Sequence, residues 1–312
     1  MNALMTVTAA SIRTTARVAP ALGAHLALNA FFSTTRMRLR DEDWLTDHAA
    51  HRARVRVGGT EIESYQWGAG PSAVLLMHGW NGRASQFAPL VRDLVGEGYR
   101  VVAFDAPAHG DSPGRRTDVR DWVDAAHALS DAEGPFDLIV GHSFGAFAAL
   151  AAVRDGVPAR RVASIAGAGA VPAFHDQFLG ALRMPAYARP AFEAGFYRRL
   201  GLRREESDAR FDTLTHPLPA GTELLLVHDR QDRALDARHS RALHAAHPGR
   251  SHLLLTNGLG HNRVLSADMV LDAVLAFAVG GLGTTEPESP RAHRPGVSEA
   301  PSDHEEKAAS RL

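Results

Sequence analysis

The amino-acid sequence predicts an α/β protein with a mostly parallel, doubly wound sheet and a helical cap insertion. Short apolar runs alternate with helical patterns along most of the chain, which is typical of parallel strands covered by helices on both faces. Residues 171–218 interrupt this alternation, because they hold helical stretches and many aromatic side chains but no good strand.

The predicted sheet begins with an antiparallel hairpin, since Gly58-Gly59 separates the strand-like runs Arg54–Val57 and Glu61–Trp67. Every later run is continuously apolar, and a strand with two apolar faces belongs inside a parallel sheet. These runs are Ala73–Met77, Arg100–Phe104, Asp137–Val140, Val162–Ala166, Glu223–Val227 and His252–Leu255.

Helical patterns fall between the predicted strands, as crossovers in a parallel sheet require. We interpret residues 171–218 as a helical cap inserted between two strands, because a long loop without secondary structure is uncommon in a compact domain. The alternative is an ordinary long crossover that carries an extra helix. The helical patterns are Ala84–Gly96, Thr117–Ala132, Ser143–Arg154, Asp236–Ala246 and Val264–Ala278.

Three parts of the chain differ in composition. We expect an N-terminal helical segment at residues 1–50, an α/β domain at residues 51–280 and a disordered tail at residues 281–312. The tail is rich in glycine, proline and polar residues, so it has little apolar surface to bury.

The N-terminal segment carries an apolar helical face. Val18, Leu22 and Leu26 are four residues apart, which places them on one side of a helix over Thr15–Phe32. We expect this face to pack against the main domain or the cap. The alternative is a membrane surface, because five arginines precede the first acidic residue, Asp41.

The composition of the 312 residues excludes several classes of function. The chain has no cysteine, which excludes a disulfide framework, a thiolate zinc site and a cysteine nucleophile. A net charge of −1 provides no basic field for binding nucleic acid. No apolar run approaches the roughly 20 residues that span a bilayer, so we expect a cytoplasmic protein without a transmembrane segment.

Histidines are numerous, but their spacing does not predict a metal site. His239, His244 and His247 are five and three residues apart on one predicted helix, which does not give the i, i+4 pair of a helical metal site. We interpret them as surface residues, and we predict neither a metal ion nor a cofactor.

The strongest chemical signal is the segment Gly141–Gly145, which reads Gly-His-Ser-Phe-Gly. It follows an apolar strand and precedes a helical pattern, which is the context of a nucleophile elbow. The tight turn requires small flanking residues and presents the Ser143 hydroxyl at the carboxyl end of the sheet. The backbone N–H of Phe144 is then positioned to donate to a developing oxyanion.

From about residue 52 to residue 279 the chain resembles the α/β-hydrolase superfamily. The elbow serine, a later acid and a later histidine occur in that family's order. The resemblance implies the α/β-hydrolase fold and a Ser-His-Asp triad.

The segment His78-Gly79-Trp80 follows the first predicted parallel strand and resembles the family's oxyanion loop. The resemblance implies that the Trp80 backbone N–H is the second oxyanion donor, beside that of Phe144. We expect His78, Gly79, Trp80 and His142 to line the substrate site.

The segment Asp105–Ser112 resembles the family's Asp-x-Pro-Gly-His-Gly-x-Ser stretch, with Ala108 in place of a glycine. We interpret it as scaffold near the site, and His109 as a structural histidine and not as a second base.

The triad acid has two candidates after the strand Glu223–Val227. His228–Asp232 aligns with the family pattern His-Gly-x-x-Asp, which makes Asp232 the acid. Asp229 occupies the glycine position of that pattern and is the second candidate. Residues 165–171, after the preceding strand, contain no acid, which argues against an acid at that position.

His261 follows the last predicted strand, in the segment Gly258–His261. The resemblance implies that it is the triad histidine, and an imidazole is the natural general base for a serine at neutral pH.

These residues predict a serine hydrolase that cleaves a carboxylic ester, a thioester or a related acyl bond of a small molecule. Ser143, Asp232 and His261 are the predicted catalytic residues, and an acyl-enzyme is the predicted intermediate. Two alternatives remain at this point: an acyltransferase with the same triad, and a binding protein that has kept the fold without turnover. The sequence predicts neither the acyl chain nor the oligomeric state.

Overall fold

A computed structural model describes residues 3–284, with side chains from residue 7 onward. Apart from Gly281–Thr284, which form a short 3-10 turn, the predicted disordered tail lies outside the described residues. The strands β1 to β8 are His51–Val57, Thr60–Trp67, Ala73–Met77, Arg100–Phe104, Phe136–His142, Ala159–Ile165, Glu223–Asp229 and Ser251–Thr256. The helices α1 to α12 are Ala3–Val18, Pro20–Phe31, Trp44–His48, Ala88–Gly96, Val119–Glu133, Phe144–Arg154, Val171–Leu182, Arg189–Leu200, Arg204–Phe211, Arg238–Ala246, Gly260–Arg263 and Asp268–Gly280.

The eight strands form one sheet in the order β1-β2-β4-β3-β5-β6-β7-β8. β1 and β2 form the predicted antiparallel hairpin, and β2 also runs antiparallel to β4. The remaining pairs are parallel, and all five residues of the central strand β3 are buried. Helices cover both faces, so the predicted fold class is confirmed: this is the α/β-hydrolase fold.

Two predicted helices are divided in the structure. The pattern Ala84–Gly96 begins as a 3-10 turn, Ala84–Phe87, and α4 starts only at Ala88. Pro89 in the first turn of α4 has no backbone N–H, which is tolerated there but would break a continuous helix. The last pattern, Val264–Ala278, is likewise divided into a 3-10 turn, Val264–Ser266, and α12, and the short helix α11 precedes it.

Helices α7, α8 and α9 lie between β6 and β7, in the interval where the sequence predicts a cap. We refer to Val171–Phe211 as the α7–α9 insertion. Its buried aromatic residues belong to the same hydrophobic core as one face of the sheet and the buried residues at the end of α2.

The prediction for the N-terminal apolar face is wrong. The side chains of Val18, Leu22 and Leu26 are 84%, 53% and 37% exposed. Pro20 ends the continuity of the helix, so α1 and α2 form a bent pair.

Small residues, and not leucines spaced by four, bury the N-terminal helices. The α1–α2 pair packs so closely that a Cβ on Gly23 would lie 2.4 Å from the Cβ of Ala16. Ala24, Ala27 and Leu28 are buried, and α2 packs against α8 of the insertion. The segment therefore packs on the protein, as expected, but through a different face.

The interpretation of His247 as a surface residue is also wrong. It caps the end of α10 and is fully buried, with Nε2 accepting from the backbone N–H of Leu218 and Nδ1 bonded to the carbonyl of Leu243. His244 is exposed and His239 is half-buried.

Within residues 3–284, no single helix is long and apolar enough to cross a membrane; only the bent pair Gly260–Ser266 and Asp268–Thr284 reaches that length and hydropathy when taken together.

Candidate active site

Ser143 lies in the sharp turn between β5 and α6, with backbone angles of φ 55° and ψ −118°. This conformation is rare for a residue with a side chain and stores strain. Both flanking glycines are required by the packing. A Cβ on Gly141 would lie 2.4 Å from the Cα of Ala146, and a Cβ on Gly145 would lie 2.1 Å from the carbonyl oxygen of Met77.

Ser143, His261 and Asp232 form a continuous chain of hydrogen bonds. His261 Nε2 lies 2.9 Å from Ser143 Oγ, and His261 Nδ1 lies 2.7 Å from Asp232 Oδ2. An ionised Asp232 accepts a hydrogen bond from the Nδ1–H group of His261, so the Nε2 lone pair faces the serine hydroxyl. The structure thus brings together three residues from the turns that follow β5, β7 and β8.

The Asp232 carboxylate is buried but well supplied with donors. Its Oδ1 atom accepts from the backbone N–H groups of Ala234 and Leu235, at 2.7 and 3.0 Å. His228 Nε2 lies 3.3 Å from Oδ2. Burial alone raises the pKa of a carboxyl group, but the bonds from His228, His261 and the backbone outweigh it and hold the Asp232 pKa well below its usual range.

Asp229, the second candidate for the acid, does not contact His261 by hydrogen bond. Its carboxylate accepts from the Thr256 hydroxyl and from the backbone N–H groups of Leu259 and Gln231. Burial opposes ionisation, yet these bonds lower the pKa of Asp229 to about 2. Asp229 therefore fastens the end of β7 to the loop that carries His261.

Gly79 and Trp80 form a loop directly beside Ser143. A Cβ on Gly79 would lie 3.1 Å from the Ser143 Cβ, which shows how closely this backbone approaches the serine. Among residues 3–284, the backbone N–H of Trp80 has no hydrogen-bond acceptor. The N–H of Phe144 is in the first turn of α6 and has no intrahelical acceptor.

His78 and His142, expected among the substrate-lining residues, are buried behind the site. His142 Nε2 donates to the carbonyl oxygen of His261 at 2.9 Å. His78 Nε2 accepts from the backbone N–H of Ala106, while Nδ1 bonds to the carbonyl of Gly79. Burial lowers the pKa of each imidazole to about 4, so both are neutral near pH 7 and hold loops in place. The expectation that these two rings line the substrate site is wrong, because both are buried.

A model of the alpha/beta hydrolase family matches residues 74–296. The chain belongs to this family. An uncharacterized protein of Mycobacterium tuberculosis is 27% identical over 231 residues, which are 72% of this chain and 75% of the relative. A non-heme haloperoxidase of Rhodococcus erythropolis is 36% identical over 118 residues, 36% of this chain and 42% of the relative. An esterase of Pyrococcus furiosus has the same fold, with a TM-score of 0.58, 16% identity, and coverage of 79% of this chain and 96% of the esterase.

In this α/β-hydrolase, the structure adds supporting residues that sequence reasoning missed. Asn81, directly after Trp80, has φ 59°, and its N–H donates to His109 Nε2 at 3.0 Å. Its side-chain oxygen accepts from the backbone N–H of Thr35 at 2.7 Å. His109 is buried and bonds to backbone through both ring nitrogens, which confirms its structural role.

His228 was within reach of sequence reasoning, because it lies four residues before Asp232 in the aligned motif. The hydrogen bond from Thr35 to Asn81 could not be predicted from the sequence, since nothing in the pattern of residues 33–40 indicates a partner 46 positions away.

A small apolar cavity of about 20 Å³ lies against the side chains of Trp80 and Phe144. It is about the size of one water molecule or one methyl group. The other walls include Phe31 and Phe32 at the end of α2, and Phe174 and Phe196 from the α7–α9 insertion.

Proposed function

We propose that this protein is a serine hydrolase that cleaves a carboxylic ester, a thioester or a related acyl bond. Ser143 is the proposed nucleophile, His261 the general base and Asp232 the acid that orients it. The observation that carries the proposal is the pair of hydrogen bonds made by His261, at 2.9 Å to Ser143 and 2.7 Å to Asp232.

In the first step, the Ser143 oxygen attacks the acyl carbonyl while its proton passes to His261 Nε2. The depressed pKa of Asp232 supports this role, because a carboxylate that stays ionised stabilises the imidazolium that forms. The imidazolium then donates its proton to the leaving alcohol or thiol, and the acyl group remains on Ser143.

The backbone N–H groups of Trp80 and Phe144 are the proposed oxyanion donors. The first lies in a tightly packed loop and the second in the first turn of α6, and such preorganised donors stabilise a tetrahedral oxyanion. The tight approach of Gly79 to Ser143 supports the assignment, since it leaves the Trp80 N–H next to the nucleophile.

Water is the proposed acyl acceptor in the second step. The His261 side chain is 17% exposed and Ser143 is half-buried, so solvent reaches the base from the open side of the site. His261 takes a proton from water, the resulting hydroxide attacks the acyl-enzyme, and the acid is released with the Ser143 proton restored.

A fluorophosphonate probe tests the proposal on the full chain. We expect stoichiometric labelling, located by mass spectrometry on Ser143, together with hydrolysis of p-nitrophenyl acetate. The Ser143→Ala variant serves as control: it should not be labelled, and its kcat should be lower by a factor of about 10⁶. A folded wild-type protein that neither reacts with the probe nor hydrolyses any ester of a panel is a binding protein, and the proposal is then wrong.

A further inference from the structure

Phe31, the last residue of α2, reaches from the N-terminal helices into the aromatic core of the α7–α9 insertion. Its ring centroid lies 5.1 Å from that of Phe178, 5.6 Å from Phe192 and 5.8 Å from Phe196. All three contacts are edge-on, a favourable geometry for aromatic pairs. The partly buried ring is therefore one member of a packed cluster.

The other side of the Phe31 ring faces the candidate active site. Its centroid lies 6.5 Å from the Trp80 indole, and the two rings are stacked. Phe31 also forms part of the wall of the 20 Å³ cavity that Trp80 and Phe144 line. Phe31 thus lies between this cavity and the rings of Phe178 and Phe192, which do not line it.

Hydrogen bonds fix Phe31 relative to the loop that carries Trp80. The indole N–H of Trp80 donates to the carbonyl oxygen of Ser33 at 3.2 Å, two residues after Phe31. Four residues after Phe31, the N–H of Thr35 donates to the side chain of Asn81. The end of α2 and the proposed oxyanion loop are therefore joined at two points, which places Phe31 as a permanent part of the site.

The aromatic rings behind Phe31 pack around one polar side chain, His175, whose Nδ1 lies 3.9 Å from a carboxylate oxygen of Glu193. His175, buried in the insertion, lies 5.9 Å from the Phe31 ring, and neither of its ring nitrogens has a hydrogen-bond partner among residues 7–284. Burial lowers the pKa of His175 to about 4, so the ring is neutral near pH 7. Phe178 and Phe192 both contact Phe31, so the side chains next to it in the insertion are mostly apolar and compatible with an alkyl chain.

We propose that Phe31 determines the acyl-chain length of the substrate and restricts the site to short acyl groups, of the size of acetyl or propionyl. This inference rests on the proposed function of Ser143. The proposal places the acyl oxygen between the N–H groups of Trp80 and Phe144 and the alkyl part of the acyl group in the cavity, because the side chains of the same two residues line it. The cavity has room for about one methyl group, and Phe31 forms one of its walls.

The test is the Phe31→Ala variant of the full chain, measured with p-nitrophenyl acetate, butyrate, hexanoate and octanoate. Wild type should favour acetate over octanoate by at least about 10²-fold in kcat/KM, because each methylene that does not fit lowers kcat/KM by about tenfold or more. The variant should raise the ratio of octanoate to acetate at least about tenfold. Leu22→Ala is the matched control, because Leu22 is on the same helix but 53% exposed, and it should leave the ratio unchanged.

Two further variants keep the inference falsifiable if Phe31→Ala does not fold. Phe31→Leu should widen the pocket slightly and favour butyrate, whereas Phe31→Trp should narrow it and disfavour butyrate relative to acetate. A wild type that hydrolyses octanoate as well as acetate overturns the inference, as do folded variants with an unchanged ratio. A wild type without any Ser143-dependent hydrolysis contradicts the proposed function itself, which is a different result from hydrolysis with an unchanged chain-length profile.

Discussion

Asp232 accepts a hydrogen bond from His261 Nδ1 through one carboxylate oxygen and hydrogen bonds from two backbone N–H groups through the other. Asp229, three residues earlier, accepts three hydrogen bonds and none from His261. The two carboxylates of one short loop therefore have separable tasks: one orients the imidazole, and the other shapes the loop that holds it.

Replacing each of these carboxylates by an amide should separate the two tasks. Asp232→Asn no longer favours the Nδ1–H tautomer, so we expect kcat to fall by about 10⁴ with a fluorogenic ester. Asp229→Asn, the matched control, retains that tautomer and should lose far less activity while unfolding at a lower temperature. Steady-state kinetics and thermal denaturation on both variants provide the comparison. If Asp229→Asn is the more damaging to kcat, the assignment of Asp232 fails.

The strained backbone of Ser143 predicts that a glycine at this position raises the free energy of unfolding. At φ 55° and ψ −118° a glycine is unstrained, whereas a residue with a Cβ carries a cost of about 1–3 kcal/mol. After the extra entropy of unfolded glycine is subtracted, Ser143→Gly should be about 1 kcal/mol more stable than Ser143→Ala. Urea unfolding of these two inactive variants isolates the backbone effect. Equal stability of the two would show that the elbow stores no strain.

Most of the sheet was predictable because its strands are short, apolar on both faces and bounded by loops. Ala73–Met77 and Arg100–Phe104 agree with the sequence prediction to the residue. The meeting of Ser143 with His261 was predictable from the family resemblance, since the carboxyl ends of parallel strands share one edge of the sheet.

The failures have a common physical cause, which is that periodicity does not identify the partner of a face. Val18, Leu22 and Leu26 have helical spacing, yet the close crossing of α1 and α2 requires glycine and alanine, and so the leucines are left outside. His247 was assigned to the surface from spacing alone, but a backbone N–H 29 residues away fills its Nε2 position.

The buried histidines predict that the protein loses stability in mild acid. His78 has an ordinary pKa of 6.5 when unfolded and a pKa of about 4 in the folded protein, because burial disfavours its charged form. The folded state binds the proton more weakly than the unfolded state does. The contribution of the neutral His78 ring to the free energy of unfolding is therefore complete above pH 6.5 and is lost as the pH falls from 6.5 to 4. A shift of this size corresponds to about 3 kcal/mol.

Urea unfolding at pH 7, 6 and 5 measures this dependence. The free energy of unfolding of wild type should fall steadily over the series. His78→Gln is less stable at every pH, but its slope against pH should be shallower, because one titrating group has been removed. Equal slopes for the two proteins would contradict the role of His78.

The last prediction concerns the N-terminal helices, where the packed face and the exposed face can be tested separately. Deleting residues 1–40 removes Phe32, which is 2% exposed, and the hydrogen bonds that Ser33 and Thr35 make to the Trp80–Asn81 loop. The truncated protein should expose the aromatic cluster of the insertion, unfold at a lower temperature and lose most of the proposed Ser143-dependent ester hydrolysis.

The matched control is a triple variant, Val18→Ser, Leu22→Ser and Leu26→Ser, which alters only the exposed side of the same helices. Because Val18 and Leu22 are mostly in solvent and Leu26 is 37% exposed, the melting temperature and the activity should stay close to those of wild type. Co-sedimentation with anionic and zwitterionic vesicles completes the experiment, since Arg13 and Arg17 lie on these helices and no acidic residue precedes Asp41. A truncation that remains stable and fully active, from a parent that binds anionic vesicles, would show that the helices serve a membrane surface and not the hydrolase site. Loss of stability and activity on truncation, with no vesicle binding by the parent, is the result that the packing of α2 on α8 predicts.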